Sequence, residues 1–318
     1  MVRPVTLAAI LVLAVACQNE RQPPMRIGTL LWPGTELLYL AQHEGQLPPD
    51  DFRLVEFVDD GEVMRAFRNG TVEAAMITLD EVLTLAAGGA APVIVLVADE
   101  SLGGDAIVAQ PGISTVSELK GRRVAAQVQS GGAYVLAQAL TQAGLRATDI
   151  QIVNLPPYRQ TEAFAARSID AMATHDPFLS RAGATEATDV FNSNAAGDRP
   201  LRVLAFRREY LQGAVARTEV LCQAWYAAVD STLRSPSARE WIATRTRTSQ
   251  GEFEQMLGRL RLMNRDDNRR YLSGSTPALL TAAARTRTVM RAAGLVAGET
   301  PLRELLDRPT DLGGGCTP

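Results

Sequence analysis

The sequence has few of the residues that build metal centres and disulfide-rich scaffolds. Its 318 residues include two histidines and three cysteines. The histidines, His43 and His175, belong to different motifs, and no group of side chains has the spacing of a metal site. The sequence also lacks a Gly-x-Ser-x-Gly elbow, a P-loop and a dinucleotide-binding fingerprint. We therefore predict that the protein holds no metal and no cofactor and is not an enzyme.

The main body of the chain has neither an excess of basic residues nor a long apolar run. Lysine and arginine number 32 against 35 aspartates and glutamates, which gives a formal net charge of −3. Nucleic-acid-binding proteins need a concentrated basic surface, so we expect no nucleic-acid partner. Beyond the N-terminal region, no segment reaches the roughly eighteen uncharged apolar residues that indicate a transmembrane helix.

The first seventeen residues follow the pattern of an exported lipoprotein. Arg3 supplies a positive charge, an apolar run too short to span a bilayer follows, and small residues lead to Cys17. The segment resembles a bacterial lipobox, although Ala14 stands where such boxes usually carry leucine. We predict a signal peptide over residues 1–16, a lipidated Cys17 and a tether over residues 17–24. An ordinary signal peptide with a chance cysteine is the alternative. Either pattern predicts a protein of the periplasm or cell envelope.

The other two cysteines leave open whether a disulfide forms. Cys222 lies in a segment that is predicted to be helical, and Cys316 lies in a glycine-rich C-terminal tail. In an oxidising compartment the two could pair. Alternatively, Cys222 could behave as a small buried apolar residue.

The central part of the chain alternates between short apolar strands and helical stretches of about ten residues. This alternation predicts an α/β fold with mostly parallel sheets that are covered by helices. The pattern restarts near Val124, and from about Ala214 to Leu306 the chain reads as almost wholly helical. Two β/α units followed by a helical region indicate two lobes.

We predict that the first lobe comprises residues 25–104 and 207–318 and that the second comprises residues 105–206. The natural crossings between them are Asp105–Ala109 and Leu201–Phe206, and two crossings make a hinge. Ligands of open parallel sheets bind beyond the carboxyl ends of the strands, so the cleft between the lobes is the expected site.

Four candidate binding residues follow the first and third strands. Trp32 comes after the first strand, where an exposed indole could stack on a ligand, and Gly34 would let the backbone approach closely. Thr78 ends a buried-type strand and offers a hydroxyl. Asp80 could accept a hydrogen bond from the solute or could cap the next helix. A packed tryptophan and a capping aspartate are the structural alternatives.

Four more candidates lie in the second β/α unit. Ser130 and Gly131 open a helix whose free N–H groups favour an anion, with a plain N-cap as the alternative for Ser130. His175 and Asp176 follow a strand; His175 could contact the solute, and Asp176 could cap a helix. The acidic, glycine-rich segment Asp99–Asp105 could line the cleft or form the hinge.

These motifs, in their order along the chain, resemble the periplasmic solute-binding proteins of sulfonate, taurine, nitrate and thiamine-precursor ABC importers. The best local matches lie at residues 32–34, 38–41, 74–81, 119–124 and 169–173. The resemblance implies a type II periplasmic binding fold that closes on a small solute and delivers it to ABC permease subunits. It also implies a monomer that contacts the membrane only through its lipid anchor.

The resemblance does not identify the solute. Sulfonate and taurine members usually place serine, threonine and histidine in the loop where this chain has Gly132, Ala133 and Tyr134. This difference argues against a simple sulfonate and favours a small polar or zwitterionic organic solute. A ligand-sensing lipoprotein and, with less support, an enzyme on the same fold remain the alternatives.

Overall fold

The protein forms two mixed β-sheets covered by helices, as seen in a computed structural model that describes residues 22–183, 187–297, 301–306 and 316. The described strands are β1 (Met25–Thr29), β2 (Phe52–Glu56), β3 (Ala74–Thr78), β4 (Pro92–Ser101), β5 (Asp105–Ala109), β6 (Arg123–Ala126), β7 (Gln151–Asn154), β8 (Ala171–His175), β9 (Thr188–Asn192), β10 (Leu201–Arg207) and β11 (Leu260–Leu262). The predicted α/β class is confirmed, but the sheets are mixed and not mostly parallel as expected, because β5 and β10 each pair antiparallel with two neighbours.

The helices cover both faces of each sheet. They are α1 (Glu36–His43), α2 (Asp60–Arg68), α3 (Leu79–Ala87), α4 (Gly131–Gln142), α5 (Pro157–Ala165), α6 (Phe178–Gly183), α7 (Arg208–Leu211), α8 (Val215–Arg234), α9 (Pro236–Thr246), α10 (Gln250–Leu257), α11 (Arg265–Leu272) and α12 (Ala278–Ala292). Short 3₁₀ turns occupy Val116–Leu119, Ala147–Asp149 and Leu302–Leu306.

The first sheet has the strand order β11-β4-β10-β3-β1-β2, and the second has the order β7-β6-β8-β5-β9. In each sheet, the strands joined by helices pair in parallel, as β1 does with β2 and β3, and β6 with β7 and β8. The chain leaves the first sheet after β4 and returns to it through β10, which lies antiparallel between β3 and β4. The end of β4 and the start of β10 therefore lie side by side in space. The predicted crossing segments Asp105–Ala109 and Leu201–Phe206 are themselves strands, β5 of the second sheet and β10 of the first.

Alternating side chains along the central strands supply separate apolar cores. On β3, Met76 packs with Trp225 of α8 on one face of the first sheet. The neighbouring Ile77 packs with Leu83 of α3 on the other face. This period of two is the geometric property of a strand that is buried on both sides.

The C-terminal part differs from the sequence prediction at one place. The prediction of an almost wholly helical region is wrong at β11, because Leu260–Leu262 pairs antiparallel with the end of β4. A strand is predicted from apolar and polar residues that alternate over at least four positions, and three residues are too few to show this pattern. Cys222 of α8 and Cys316 form a disulfide, which resolves the alternative left open by the sequence.

Candidate ligand-binding cleft

The predicted site residues meet where the edges of the two sheets face each other. A Cβ atom placed on Gly131 would lie 3.5 Å from Thr78 Cγ2 and 3.9 Å from Asp105 Oδ1. Thr78 ends a strand of the first sheet, whereas Gly131 begins α4 beside the second sheet. The two sides of the cleft therefore approach each other closely at this point.

Trp32 lies in the wall of this cleft, but it is not the exposed residue that the sequence suggested. Its side chain is only 1% exposed. Its Nε1 atom donates to both carboxylate oxygens of Asp99, at 3.2 and 3.1 Å. The guanidinium carbon of Arg202 lies 4.1 Å from the Trp32 ring centroid, and the His175 ring meets the indole edge-on at 5.8 Å. The indole is buried because protein groups already contact its ring and its edge.

Gly34 and Gly104 make room for this arrangement. A Cβ atom on Gly34 would lie 2.2 Å from Asp99 Oδ2, and one on Gly104 would lie 2.9 Å from Trp32 Cη2. The close approach predicted at Gly34 is therefore an approach of Asp99 to the backbone. A side chain at either position would displace the Trp32–Asp99 pair.

Thr78 and Asp80 are fixed by the start of α3. The helix begins directly after Thr78, so Thr78 holds the cap position and the predicted capping role of Asp80 is wrong. The Glu81 carboxylate accepts a hydrogen bond from the Thr78 backbone N–H at 2.8 Å. Burial is the main reason why the pKa of Asp80 is raised to about 7; hydrogen bonds from Thr78 and from its own backbone N–H oppose the rise, and the neighbouring charges of Asp105 and Asp60 add to it. Asp80 is therefore a desolvated acid beside the cleft.

Ser130 takes the N-cap position of α4, as one of the two sequence interpretations proposed. Its hydroxyl donates to the carbonyl of Gln127 at 2.7 Å and makes no capping hydrogen bond. The Gln127 side-chain amide donates to Asp59 Oδ1 at 3.0 Å. Since Asp59 caps α2 beside the first sheet, this bond ties the two sides of the cleft together.

His175 and Asp176 are both buried, but they have different surroundings. His175 Nδ1 lies 2.8 Å from the Asp176 carbonyl oxygen, and its ring faces Trp32. The Asp176 carboxylate accepts hydrogen bonds from the Ser180 backbone N–H and hydroxyl, at 3.1 and 2.6 Å. It also forms a salt bridge with Arg259 at 3.1 Å. Asp176 is thus bound within the protein, and His175 is the member of the pair that lines the cleft.

The sequence analysis missed Arg202 and left Asp99 and Asp105 as parts of a possible hinge. Burial raises the pKa of Asp99 to about 6, although the nearby Arg202 charge and the Trp32 hydrogen bond lower it. Burial also raises the pKa of Asp105, against the opposing charges of Arg202 and His175. Arg202 lies opposite Thr78 and Asp99 on the strands that flank β10. Arg202 could have been found from the sequence, because it is a charged residue inside an otherwise apolar strand.

Comparison with known proteins places the chain in a family. The NMT1-like family matches residues 18–246, which is more than two thirds of the sequence. The chain belongs to the NMT1-like family. This confirms the resemblance that the motifs carried.

The chain spans about half the length of the curated relatives it matches. One of these relatives is an Escherichia coli protein named as aliphatic sulfonates-binding. It is 32% identical over 158 residues, which cover 49% of this chain and 48% of that protein.

Solved structures share the fold over nearly the whole chain. The alkanesulfonate-binding protein SsuA of Xanthomonas axonopodis pv. citri, bound to MOPS, has a TM-score of 0.74 at 21% identity, covering 90% of this chain and 98% of that one. SsuA of Escherichia coli has a TM-score of 0.72 at 20% identity, covering 90% and 92%. The desulfurization enzyme DszB also matches, with a TM-score of 0.65 at 14% identity over 92% and 98%. The fold is that of the periplasmic binding proteins.

The described residues contain neither a metal-binding cluster nor a membrane-spanning helix. Within the ranges that the structure covers, no group of three or more His, Cys, Asp or Glu side chains is arranged to hold a metal ion. No helix among the described residues is long and apolar enough to cross a membrane. Cys17, the predicted lipidation site, lies outside the described residues.

Proposed function

We propose that the protein is an extracytoplasmic solute-binding component of an ABC import system. It captures a small polar or zwitterionic organic molecule between its two lobes and presents the closed form to permease subunits. Membership of the NMT1-like family and the SsuA-like fold support this role. In this proposal the first lobe carries the first sheet (residues 25–104 and 201–318) and the second lobe carries the second sheet (residues 105–200); the predicted boundary at residue 206 moves because β10 lies in the first sheet. Lobe closure is the signal that the permease reads, and no covalent chemistry is needed.

Unsatisfied polar atoms buried along the cleft are the observation that supports binding most directly. Arg202 Nε comes from the first sheet, Asp105 Oδ2 from the start of the second, and Gln127 Oε1 from the loop before α4. All three are buried without a hydrogen-bond partner in the described structure. Buried polar groups in proteins are normally hydrogen-bonded, so a cluster of unpaired ones at one cleft favours a ligand.

The proposal keeps the eight predicted residues but changes the roles of two, Trp32 and Asp176. Trp32, Gly34, Thr78 and Asp80 form the first-lobe side, with Trp32 acting as a rigid wall beneath Arg202. Ser130, Gly131 and His175 form the second-lobe side. Asp176 positions His175 and closes the lobes through its salt bridge with Arg259. Acidic side chains such as Asp80 favour a solute that carries a hydrogen-bond donor or an amine.

A thermal-shift screen tests the binding role. Candidate solutes are taurine, alkanesulfonates, nitrate, bicarbonate, pyrimidines and riboflavin-like compounds. A ligand present at 100 times its dissociation constant stabilises a protein by about 2.7 kcal/mol, which is readily seen as a higher melting temperature. Small-angle scattering of the positive compounds should then show compaction on binding. If none of these classes stabilises the protein or changes its radius of gyration, the proposed function fails.

The lipid anchor at Cys17 has its own test. Mass spectrometry of the membrane fraction should show a diacylated or triacylated N-terminus at Cys17. The Cys17→Ser protein should lose both the acyl chains and the membrane association. A Cys17→Ser protein that stays membrane-bound and is processed as before would contradict the proposed anchor.

A further inference from the structure

Arg202 is a buried cation that the protein itself leaves without a polar partner. Its side chain is 4% exposed, and its Nε atom is buried with no hydrogen bond. Across the part of the chain that the structure describes, the Arg202 side chain makes neither a hydrogen bond nor a salt bridge, and its guanidinium lies over the Trp32 ring. Burial of a charged group is costly unless that group is paired and hydrogen-bonded.

The acids nearest to Arg202 are held in other positions. Asp99 accepts the Trp32 indole N–H with both of its oxygens, and the Gly34 backbone crowds it from behind. Asp105 faces the start of α4 and Thr78, and its Oδ2 atom is itself unpaired. Both carboxylates attract Arg202 at longer range without bonding to it. The guanidinium is therefore held at a fixed place with its hydrogen-bonding capacity unused.

The N-terminus of α4 is a poorer anion site than the sequence suggested. Asp105 Oδ1 lies 3.9 Å from the position of a Cβ atom on Gly131, so a protein carboxylate already faces the positive end of this helix. A second anion there would be repelled by Asp105. No carboxylate is hydrogen-bonded to the Arg202 side chain, and a planar guanidinium suits bidentate binding of an oxyanion.

We propose that Arg202, stacked on Trp32, binds the acidic group of the solute, a carboxylate or a sulfonate. The donor end of the same solute then lies toward Asp105, at the start of the second sheet, and toward Asp80, at the start of α3. This orientation rests on the proposed function and reverses the one expected from the helix N-terminus. The solute is then a molecule with one anionic group and with an amine or another hydrogen-bond donor.

Minimal anions test this site without knowledge of the solute. Melting temperature is measured at constant ionic strength while sodium chloride is replaced by sodium acetate or sodium methanesulfonate. Both salts should stabilise the wild-type protein relative to chloride, and their order separates a carboxylate preference from a sulfonate preference. Arg202→Met should lose this response. Arg234→Met, which removes an arginine whose side chain is 80% exposed, is the matched control and should keep it.

Calorimetry with a matched set of solutes then tests the orientation. Taurine, ethanesulfonate and ethylamine share a two-carbon frame and differ only in the groups they carry. Arg202→Met should weaken binding of the two sulfonates about 10- to 100-fold, the loss typical of a hydrogen bond to a charged group, and should leave ethylamine unchanged. Arg202→Lys keeps the charge but not the planar fork, so it should bind at intermediate strength even if the Met variant folds poorly.

The outcomes separate this inference from the proposed function. If Arg202→Met and Arg202→Lys respond to the anions as the wild type does, the anion site is refuted. If the solute screen is positive and its best compound binds independently of Arg202, the transport role stands and the orientation is wrong. If no solute binds but acetate or methanesulfonate acts through Arg202, the anion site stands and the transport role fails.

Discussion

Individual carboxyl groups in the cleft are buried at a cost in free energy. Asp80, Asp99, Asp105 and Glu81 all have raised pKa values, and burial is the largest cause in each case. A group whose pKa is higher in the folded state than in the unfolded state stabilises the fold most at low pH. That contribution is lost as the pH rises through the folded-state pKa. These acids therefore limit stability at neutral and alkaline pH.

Asp80→Asn should make this effect measurable. The folded-state pKa of about 7, against an ordinary 3.8, means that the wild type loses about 2–3 kcal/mol from this group between pH 5 and pH 8. Asparagine does not titrate, so the variant should gain stability over the wild type by that amount across this range. Urea unfolding at both pH values measures the difference. Asp230→Asn, at an exposed position, leaves Asp80 in place and should keep the pH dependence of the wild type.

Gly34→Ala tests the approach of Asp99 to the backbone. The added Cβ atom would lie 2.2 Å from Asp99 Oδ2, so the Trp32–Asp99 pair must shift. Overpacking of this kind typically costs 1–3 kcal/mol, and we expect about that loss in the free energy of unfolding. Gly197→Ala is the control, since no atom lies within 4 Å of its Cβ position. Equal stability of the two variants would show that the turn adapts freely.

At the scale of elements, α11 covers the part of β4 that β11 is too short to pair with. The Asn268 side chain is buried, and its Oδ1 atom accepts from the Val97 N–H at 2.7 Å. Its Nδ2 atom donates to the Val97 carbonyl at 2.9 Å. The amide therefore takes the place of a paired strand residue where β11 has already ended. This satisfies backbone groups of β4 that would otherwise be buried and unpaired.

Asn268→Ala should destabilise the protein more than most substitutions of one asparagine. It leaves the Val97 N–H and carbonyl without these hydrogen bonds, and each buried unsatisfied group costs about 1–3 kcal/mol. We expect a total loss of about 2–4 kcal/mol in chemical unfolding. Asn194→Ala, whose side-chain hydrogen bond to the Leu102 carbonyl lies at the surface, should cost far less. A loss no larger than that of the control would contradict this role of Asn268.

At the scale of the whole molecule, two kinds of link hold distant parts together. The Cys222–Cys316 disulfide joins α8 to a residue 94 positions later in the chain. The Gln127–Asp59 hydrogen bond and the Arg259–Asp176 salt bridge join the two sides of the cleft. The disulfide restricts the unfolded chain, whereas the cleft contacts bias an open–closed equilibrium.

The paired substitution Cys222→Ala with Cys316→Ala should lower stability under non-reducing conditions. A closed loop of about 100 residues corresponds to as much as roughly 4.7 kcal/mol in the chain-entropy account, and measured losses are typically 2–5 kcal/mol. Thermal unfolding of the wild type with and without a reductant should reproduce the difference. The double variant should not respond to the reductant. A wild type equally stable in both conditions would argue against a stabilising disulfide.

Gln127→Ala should weaken solute binding, because it removes a hydrogen bond across the cleft and the unpaired Oε1 acceptor. Loss of the bond to Asp59 favours the open form by about 1 kcal/mol, which corresponds to about a fivefold loss of affinity for a solute that binds the closed form. Gln142→Ala removes a similar amide bonded to Ala195, away from the cleft, and should bind as the wild type does. Titration calorimetry with the compound that emerges from the screen measures both.

The sequence by itself determined the fold class and the family, because secondary structure depends largely on residue patterns within short segments. Period-two and helical spacing, with glycines at element ends, predicted the α/β class, and ordered motifs predicted the family. The lipidation of Cys17 and the individual contact residues remain predictions.

Only the tertiary structure decided which side chains meet in the cleft. Arg202, Asp99 and Thr78 lie far apart in sequence and become neighbours because β10 inserts between β3 and β4. That register depends on the whole sheet and has no signature within any single segment. The burial of Trp32 has the same origin, since its contacts come from Arg202, Asp99 and His175 on three different strands. Periodicity shows which face of a strand is apolar, but the order of the strands decides which polar groups share a site.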